Sequence, residues 1–217
     1  ALTQANIQAW MHKPLDNSHP NYSDLAVYFQ MNTNSISGTT LLDVSGNSNN
    51  AQLFNTSGIS NATSNVPVVD LISSYQTDVE GIWTSSGTSD SEASDGLSMS
   101  VSSALAEANF VIFGNNNDDT GTTSSSLSGI SKRSKREWNF DEKGTVTADI
   151  KIDISDATGH SGSVSAASNY KLLFKTCEFC NFLELETGDS ASGDVITFSN
   201  VTIKDGIFCI ASADSNL

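Results

Sequence analysis

Hydrophobic and polar residues alternate without interruption from Val146 to Ile154. The apolar positions are Val146, Ala148, Ile150, Ile152 and Ile154, and the polar positions between them are Thr147, Asp149, Lys151 and Asp153. A period of two is that of a β-strand with one buried and one solvent-exposed face, whereas a helix would scatter these apolar residues around its axis. The pattern therefore predicts a strand.

The segment just before this strand is rich in basic and aromatic residues. A basic run, KRSKR at 132–136, leads into Trp138 and Phe140, and a Glu-Lys-Gly turn follows at 142–144. We interpret 129–155 as a strand, a tight turn and a second strand, which together form a hairpin at the centre of a β-sandwich. Trp138 and Arg136 are expected to have structural roles there, with the basic residues paired to surface carboxylates.

The same patterns predict strands along the rest of the chain. They cover residues 25–31, 39–44, 52–54, 75–83, 96–101, 110–114, 171–174, 182–185, 195–203 and 207–211. The continuous apolar run at 110–114 predicts a strand buried on both faces. A slip in apolar phase predicts a bulge near Ser199 and Asn200, and Asp205-Gly206 between two apolar runs predicts a hairpin.

These elements define the expected fold as an all-β, antiparallel, jelly-roll-like sandwich with at most one short helix. Residues 104–108 could form one helical turn, and residues 1–12 fit either a short helix or an extended arm. The 217 residues suit a single domain, with a candidate internal boundary near 56–74. Such a chain buries about 70% of its unfolded surface, so it needs no metal or disulfide to fold.

Charge limits the partners that the chain can have. Ten basic residues against 25 acidic ones give a net charge of −15, which argues against nucleic acid and anionic membranes as partners. No apolar run approaches about 18 residues, so no membrane insertion is expected. Few charged residues and many Ser, Thr, Asn and Gly are typical of a secreted protein, and a small residue at Ala1 fits signal-peptidase cleavage.

Three cysteines lie late in the chain, at Cys177, Cys180 and Cys209. A single Cys-x-x-Cys pair without a second pair or a neighbouring histidine makes a poor zinc site. We expect a disulfide between Cys209 and one member of the pair, which would join neighbouring strands. The remaining thiol would be free or would link subunits.

Catalytic motifs are absent from the sequence. The three histidines lie in separate loop-like contexts, and no zinc-protease, nucleophile-elbow or phosphate-loop pattern occurs. No enzymatic activity and no cofactor are therefore expected, although Asp-rich loops offer oxygen ligands for calcium at Asp118, Asp119, Asp153 and Asp156. Trp10, Trp83 and Trp138 could form a sugar-stacking platform, but we expect at least two of them in the core.

A strand followed by GTTLLDVSGNSNNAQLFN at 38–55 resembles the opening of concanavalin-A-like, laminin-G-like jelly-roll domains. The resemblance covers about forty residues and implies a mainly architectural turn. In that turn Asp43 would close the loop and Gly46 would take a positive φ. Some members of that family bind glycans and calcium.

A second resemblance runs from about Tyr75 to Ala211. It rests on Glu80-Gly81-Ile82-Trp83, on Phe113-Gly114-Asn115-Asn116, and on Arg133, Arg136 and Trp138 followed by Gly144-Thr145-Val146. These residues are similar to a β-rich module of large bacterial cell-surface proteins, many of them exported by the type IX pathway. There the module commonly follows a laminin-G-like domain.

Together these features predict a secreted or cell-surface protein with a structural or adhesive role. Our first hypothesis is a self-assembling subunit of an extracellular fibre. An N-terminal arm would complete a neighbour's sheet through Leu2, Ile7, Trp10 and Met11, and Gly206 would serve the last strand turn. The alternative is a glycan-binding laminin-G-like module, either calcium-dependent or not.

Overall fold

The computed structural model describes residues 2–10, 15–30, 36–54, 71–83, 91–106, 109–117, 120–214 and 216–217. The chain divides into two compact units, one of Ala1–Ala9 with Asn65–Leu217 and one of Trp10–Ser64. The division falls inside the range 56–74 that the sequence marks as a candidate boundary. Most of that range, residues 56–70, lies outside the described residues.

The larger unit is built from two antiparallel sheets. Its strands are β4 Thr77–Trp83, β5 Ser91–Ser94, β6 Leu97–Ser100, β7 Phe110–Asn115, β8 Thr122–Ser124, β9 Lys132–Ser134, β10 Trp138–Lys143, β11 Thr147–Asp153, β12 Tyr170–Lys175, β13 Leu183–Thr187, β14 Ser190–Ser192, β15 Val195–Thr202 and β16 Gly206–Ser212. One sheet has the order β13-β12-β16-β10-β7-β4, with β9 paired to β16 and β8 to β9. The second has the order β14-β15-β11-β6-β5. The predicted antiparallel β-sandwich is confirmed.

The core lies between the two sheets and is filled by alternate residues of each strand. Trp138 is fully buried there, and Phe140 stacks on Phe113 with ring centroids 5.0 Å apart. The indole Nε1 of Trp138 donates a hydrogen bond of 2.8 Å to the carbonyl of Ser94, which belongs to the opposite sheet. The aromatic pair that the sequence places at the centre of the sandwich is therefore part of the core, and it ties the two sheets together.

Two predicted hairpins are wrong. The strands β10 and β11 are joined by the expected turn, but β10 belongs to the first sheet and β11 to the second. The same holds for β15 and β16, which residues 203–205 connect. Each connection takes the chain from one sheet to the other. The apolar faces of the two connected strands therefore pack into the same core from opposite sides. Buried and exposed residues alternate along these strands as predicted. Only the strands with which they pair differ from the prediction.

Other local predictions hold. The strand β7 has five consecutive buried residues, so it is covered on both faces as its apolar run predicts. The pairing of β11 with β15 shifts register where Ser199 and Asn200 lie, and Asn200 has a φ of +55°. The bulge predicted at this position is confirmed.

The smaller unit has a three-stranded sheet of β1 Ile36–Ser37, β2 Thr40–Leu41 and β3 Ala51–Gln52. The prediction of a strand at 25–31 is wrong for the described residues 25–30, which do not pair with another strand. Here the backbone N–H of Tyr28 is bound by the Asp43 carboxylate at 2.8 Å instead of by a neighbouring strand.

The described part of the chain contains two short α-helices, α1 Gln4–Trp10 and α2 Ile154–Thr158. The ambiguous N-terminal segment is thus helical over α1. The helix α2 was not predicted; Asp153 caps it by accepting a hydrogen bond from the N–H of Asp156, and Gly159 ends it in the left-handed conformation. The helical turn suggested for 104–108 is not formed at 104–106, and residues 107 and 108 lie outside the described part.

A polar cluster and cleft on the outer face of the larger sheet

The outer face of the eight-stranded sheet, the face turned away from the second sheet, carries charged residues. Because side chains alternate along a strand, the neighbours of the core residues Trp138 and Phe140 point outward, and so does Lys175 after Phe174. Asn139, Glu137 and Lys175 are nevertheless buried. Asn139 accepts a hydrogen bond of 2.8 Å from the N–H of Ile72 and donates one of 3.0 Å to the carbonyl of Gly206.

Glu137 is the centre of a cluster of four side chains, which we call the Glu137 cluster: Tyr75, Arg133, Glu137 and Lys175. Its Oε1 accepts a hydrogen bond of 2.7 Å from Nη1 of Arg133. Its Oε2 lies 2.9 Å from Nζ of Lys175 and accepts a hydrogen bond of 2.7 Å from the hydroxyl of Tyr75. Both Glu137 and Lys175 have only 8% of their side chains exposed. Both carboxylate oxygens are therefore engaged by donors of the chain itself.

Burial and this cluster shift the acidity of two neighbours. Burial, with the hydrogen bond to Glu137 and the charge of its carboxylate, raises the pKa of the Tyr75 hydroxyl far above its ordinary value. Tyr75 therefore stays a protonated donor. Burial likewise raises the pKa of the Cys209 thiol far above its ordinary value, so Cys209 is held as an unreactive thiol.

Two adjoining cavities open beside the Glu137 cluster, and we refer to them together as the cleft. One, of about 300 Å³, is lined by Ser124, Ser125, Ser126, Leu127, Arg133, Lys175, Glu178, Phe179, Cys180, Asn181 and Phe182. The other, of about 310 Å³, is lined by Asn116, Thr123, Arg133, Lys135 and Glu137. Arg133 belongs to both walls. Each volume lies at the lower end of the range of small-molecule sites.

The ring of Phe182 orders the two cations of the cluster. The guanidinium of Arg133 lies 4.9 Å from its centroid and Nζ of Lys175 lies 4.5 Å from it. Such cation–π contacts are worth about 0.5–2 kcal/mol each, the larger value where water is excluded. Arg133 and Lys175 are thus fixed both by a carboxylate and by an aromatic ring.

A disulfide closes the turn at the rim of the cleft. It joins Cys177 to Cys180, whose Cα atoms lie 5.1 Å apart, and the N–H of Cys180 donates to the carbonyl of Cys177. The predicted bond to Cys209 is wrong, because Cys209 is free and fully buried beside Leu173. Between the two bridged cysteines the side chain of Phe179 is 93% exposed.

Of the four calcium candidates, the structure describes Asp153 and Asp156. Asp153 caps α2 and accepts a hydrogen bond from the hydroxyl of Ser155, and Asp156 lies in the first turn of that helix. Asp118 and Asp119 lie outside the described residues. Among the residues that the structure does describe, no group of three or more His, Cys, Asp or Glu side chains could hold a metal ion.

The three tryptophans lie in different environments. Trp138 is buried, Trp83 is 39% exposed, and Trp10 is partly buried with its ring 4.8 Å from that of His19. The expectation that at least two of them lie in the core is wrong, because Trp10 is only partly buried and Trp83 lies at the end of an edge strand.

Arg136 pairs with a carboxylate, but that pair is only partly at the surface. Arg136 is buried and forms an ion pair with Asp95. The carboxyl of Asp78 is close to Asp95: burial, and then the charge and hydrogen bonding of Asp95, raise the pKa of Asp78 above its ordinary value. Arg136 thus supports the turn between β5 and β6.

The remaining predicted positions are structural. Asp43 accepts hydrogen bonds from the backbone N–H groups of Tyr28, Ser45 and Asn49 and from the hydroxyl of Ser45, and Gly46 has a φ of +91°. Gly206 has a φ of +143°, and a Cβ there would lie 2.4 Å from the carbonyl oxygen of Lys175. Only glycine fits that position.

The proposed arm residues lie in or beside α1. Leu2 precedes the helix, Ile7 lies within it and Trp10 ends it, whereas Met11 lies outside the described residues. Leu2 and Ile7 are 44% and 51% exposed. An arm that adds a strand to a neighbour would first have to unfold this helix.

The sequence marks Asn116, Arg133, Lys135 and Cys180 for other reasons, but its patterns do not predict a cleft or the remaining residues that line it. Two signals were available: Lys175 continues the apolar run 172–174 in strand phase, and Phe179 stands between two cysteines without an apolar neighbour before it. The contact of Tyr75 with Glu137 joins residues 62 positions apart, which no local pattern indicates.

No helix among the described residues is long and apolar enough to cross a membrane.

Comparison with known proteins assigns the chain to one family. No curated protein and no solved structure matches the chain. A family model described as a domain of unknown function, DUF8202, matches residues 72–207, which is more than half of the chain and includes the Glu137 cluster and the cleft. The chain therefore belongs to the DUF8202 family.

Proposed function

We propose that this chain is an extracellular adhesive module that binds glycans in the cleft and does not transform them. The observation that carries this proposal is Phe179. Its ring is almost fully exposed, yet it sits on a four-residue turn closed by the Cys177–Cys180 disulfide and lines a polar cavity. An exposed aromatic ring on a constrained turn can pack on the C–H face of a sugar at little cost in entropy.

The lining of the cleft suits a hydroxyl-rich ligand. Three consecutive serines, 124–126, and the amide of Asn181 supply donors and acceptors beside the Phe179 ring. Beneath them both carboxylate oxygens of Glu137 are engaged within the Glu137 cluster, which holds the wall in place. Binding sites of small ligands combine apolar surface with a few fixed polar groups in this way.

An adhesive role without turnover is supported by the contacts of the Glu137 carboxylate. Both of its oxygens are engaged, by Arg133, Lys175 and Tyr75. A glycosidase needs two carboxyl groups that face each other across the sugar. The other carboxylate of the lining, Glu178, accepts a hydrogen bond of 3.3 Å from Ser74 and lies on the rim.

The extracellular location is supported by the disulfide, since such bonds persist mainly in oxidising compartments. The Ser- and Thr-rich composition and the resemblance to modules of bacterial cell-surface proteins point the same way.

The test is a glycan array probed with the whole chain and two matched variants. Phe179→Ala removes the exposed ring at the cleft, whereas Phe54→Ala removes a ring that is 80% exposed in the smaller unit. We expect saturable binding by the parent chain and by Phe54→Ala, and at least a tenfold loss for Phe179→Ala. No glycan binding by the parent chain, or equal losses for both variants, would refute the proposal.

Self-association is a second candidate, favoured by the edge of the larger sheet. Within the described part of the chain β13 pairs only with β12, and its first residue, Leu183, is 64% exposed beside the Phe179 turn. An open edge with exposed apolar residues is a template for pairing with another chain. A second copy could therefore extend the sheet here and build a fibre.

This candidate is tested by light scattering and negative-stain electron microscopy of the purified chain. Filaments or discrete multimers that disappear with Leu183→Lys would support edge pairing, because a charge at the edge blocks it. Loss of assembly on removal of residues 1–11 alone would instead favour the N-terminal arm. A monomer under all conditions would exclude self-assembly and leave the glycan proposal intact.

A further inference from the structure

We infer that the glycan bound in the cleft carries a carboxylate, and that Arg133 is the residue that contacts it. This inference rests on the proposed function, since it names the class of sugar that the same site takes. It depends on three features of the cleft: the position of Arg133, the hydrogen bonds that it already makes, and the local balance of charge.

Arg133 lines both cavities of the cleft. About a quarter of its side chain is exposed, in contrast to Lys175 and Glu137, which are almost completely covered. A ligand in either cavity therefore meets Arg133 as the accessible cation of the cluster.

The hydrogen bonds of Arg133 leave donors for a ligand. Its bonds to the carboxylate of Glu137 and to the carbonyl of Ser134 both come from Nη1. A third side-chain hydrogen bond goes to the buried thiol of Cys209, so the ligand would use the N–H groups that these three bonds leave. A guanidinium has five N–H donors arranged in a planar fork that matches the two oxygens of a carboxylate. Glu137 and the ring of Phe182 hold that fork in place before the ligand arrives, which lowers the entropy lost on binding.

The balance of charge in the cleft is opposite to that of the whole protein. Three cations, Arg133, Lys135 and Lys175, line the two cavities against two carboxylates, Glu137 and Glu178. The chain as a whole carries a net charge of −15. A locally positive cleft in an acidic protein attracts an anion only when that anion enters the cleft.

The contrast between the positive cleft and the acidic protein surface also limits the kind of anion that can bind. Charges are screened over about 8 Å at physiological ionic strength, so a single carboxylate in the cleft interacts mainly with the charges of the lining, in which the three cations outnumber the two carboxylates. A long sulfated polymer or a nucleic acid would extend over the acidic surface and be repelled by it. The site is therefore suited to a short saccharide with one localised acid group, such as a uronic or sialic acid.

The experiment compares ligands that differ only in charge, by isothermal titration of the whole chain. The probes are galacturonate and its methyl ester, and 3′-sialyllactose and the methyl ester of its sialic acid. We expect at least one acid to bind tenfold or more tightly than its uncharged counterpart, since a hydrogen bond to a charged group is worth about 1.5–3 kcal/mol. This comparison uses the unaltered protein, so it does not depend on the folding of any variant.

Two variants then assign the contact. Arg133→Gln should remove the preference for the acid, and Arg133→Lys should weaken it, because an ammonium keeps the charge but lacks the fork. Lys151→Gln removes a cation from the exposed face of β11 and should leave the preference unchanged. Thermal melts of the variants identify any that is unfolded, and the ligand pairs remain decisive for the parent chain.

The outcomes separate the two proposals. Equal affinity for acid and ester in both pairs would overturn the carboxylate inference and leave glycan binding standing, as would a preference that survives in folded Arg133→Gln. Failure of every saccharide, including the neutral ones on the array, would overturn the glycan proposal itself.

Discussion

Replacing Glu137 by glutamine tests the energetics of the cluster that supports the cleft. The change keeps the size of the side chain but removes the charge that faces Arg133 at 2.7 Å and Lys175 at 2.9 Å. Lys175 is then a buried cation without an ionic partner. Removing one member of a buried ion pair costs about 3–5 kcal/mol, because the other charge stays desolvated and uncompensated.

This loss is large enough to measure by calorimetry and by urea unfolding. For a domain of 150–250 residues, 1 kcal/mol shifts Tm by about 2–4 °C, so we expect Tm to fall by roughly 6–20 °C. The control is Glu184→Gln. Glu184 also pairs with a lysine, Lys171 at 3.1 Å, but 47% of its side chain is exposed. That pair should contribute no more than about 1 kcal/mol.

A double variant separates charge from packing. In Glu137→Gln with Lys175→Met, the buried ammonium is absent, so part of the lost stability should return. A loss below about 1 kcal/mol for Glu137→Gln, equal to that of Glu184→Gln, would refute the reasoning. It would mean that water reaches the cluster and that the cleft wall is not held by a buried network.

Three further predictions follow from local geometry. Desolvation opposes ionisation of Asp43, but its four hydrogen bonds outweigh that effect and lower its pKa from 3.8 to about 2. Its contribution to the stability of the smaller unit should be complete above about pH 4 and be lost as the pH falls to 2, which a circular-dichroism titration of the parent against Asp43→Asn measures. Thiol titration should find no reactive group in the native chain and one, Cys209, after unfolding without reductant. Gly206→Ala should lower Tm far more than Gly193→Ala, because a Cβ at 206 meets backbone at 2.4 Å whereas a Cβ at 193 meets nothing within 4 Å.

The sequence predicts the strands better than their partners. Alternation between Val146 and Ile154 reports which side chains are buried, and all five apolar residues of that run are in the core. It does not report which sheet a strand joins. A strand of either sheet presents one apolar face to the same interior, so a turn between two strands looks the same in a hairpin and in a connection that crosses the core.

The candidate site was harder to predict, for a related reason. The cleft joins the segment 123–137 to the turn at 175–182, and Tyr75 reaches the cluster from a third segment. A buried charged residue interrupts the pattern of apolar residues that marks a buried strand face. Glu137 and Lys175 therefore look like exposed positions in the sequence. The disulfide was misassigned because a Cys-x-x-Cys turn and a pair of neighbouring strands can both bring two cysteines within bonding distance.

Chemical-shift mapping by NMR would show directly whether the cleft binds a glycan. The labelled chain would be titrated with 3′-sialyllactose and, separately, with galacturonate while its backbone amide signals are followed. We expect shifts concentrated in residues 123–137 and 175–183, with Arg133 and Phe179 among the most affected. Shifts confined to the surroundings of Trp83 or to the smaller unit, with the cleft unperturbed, would contradict glycan binding in the cleft.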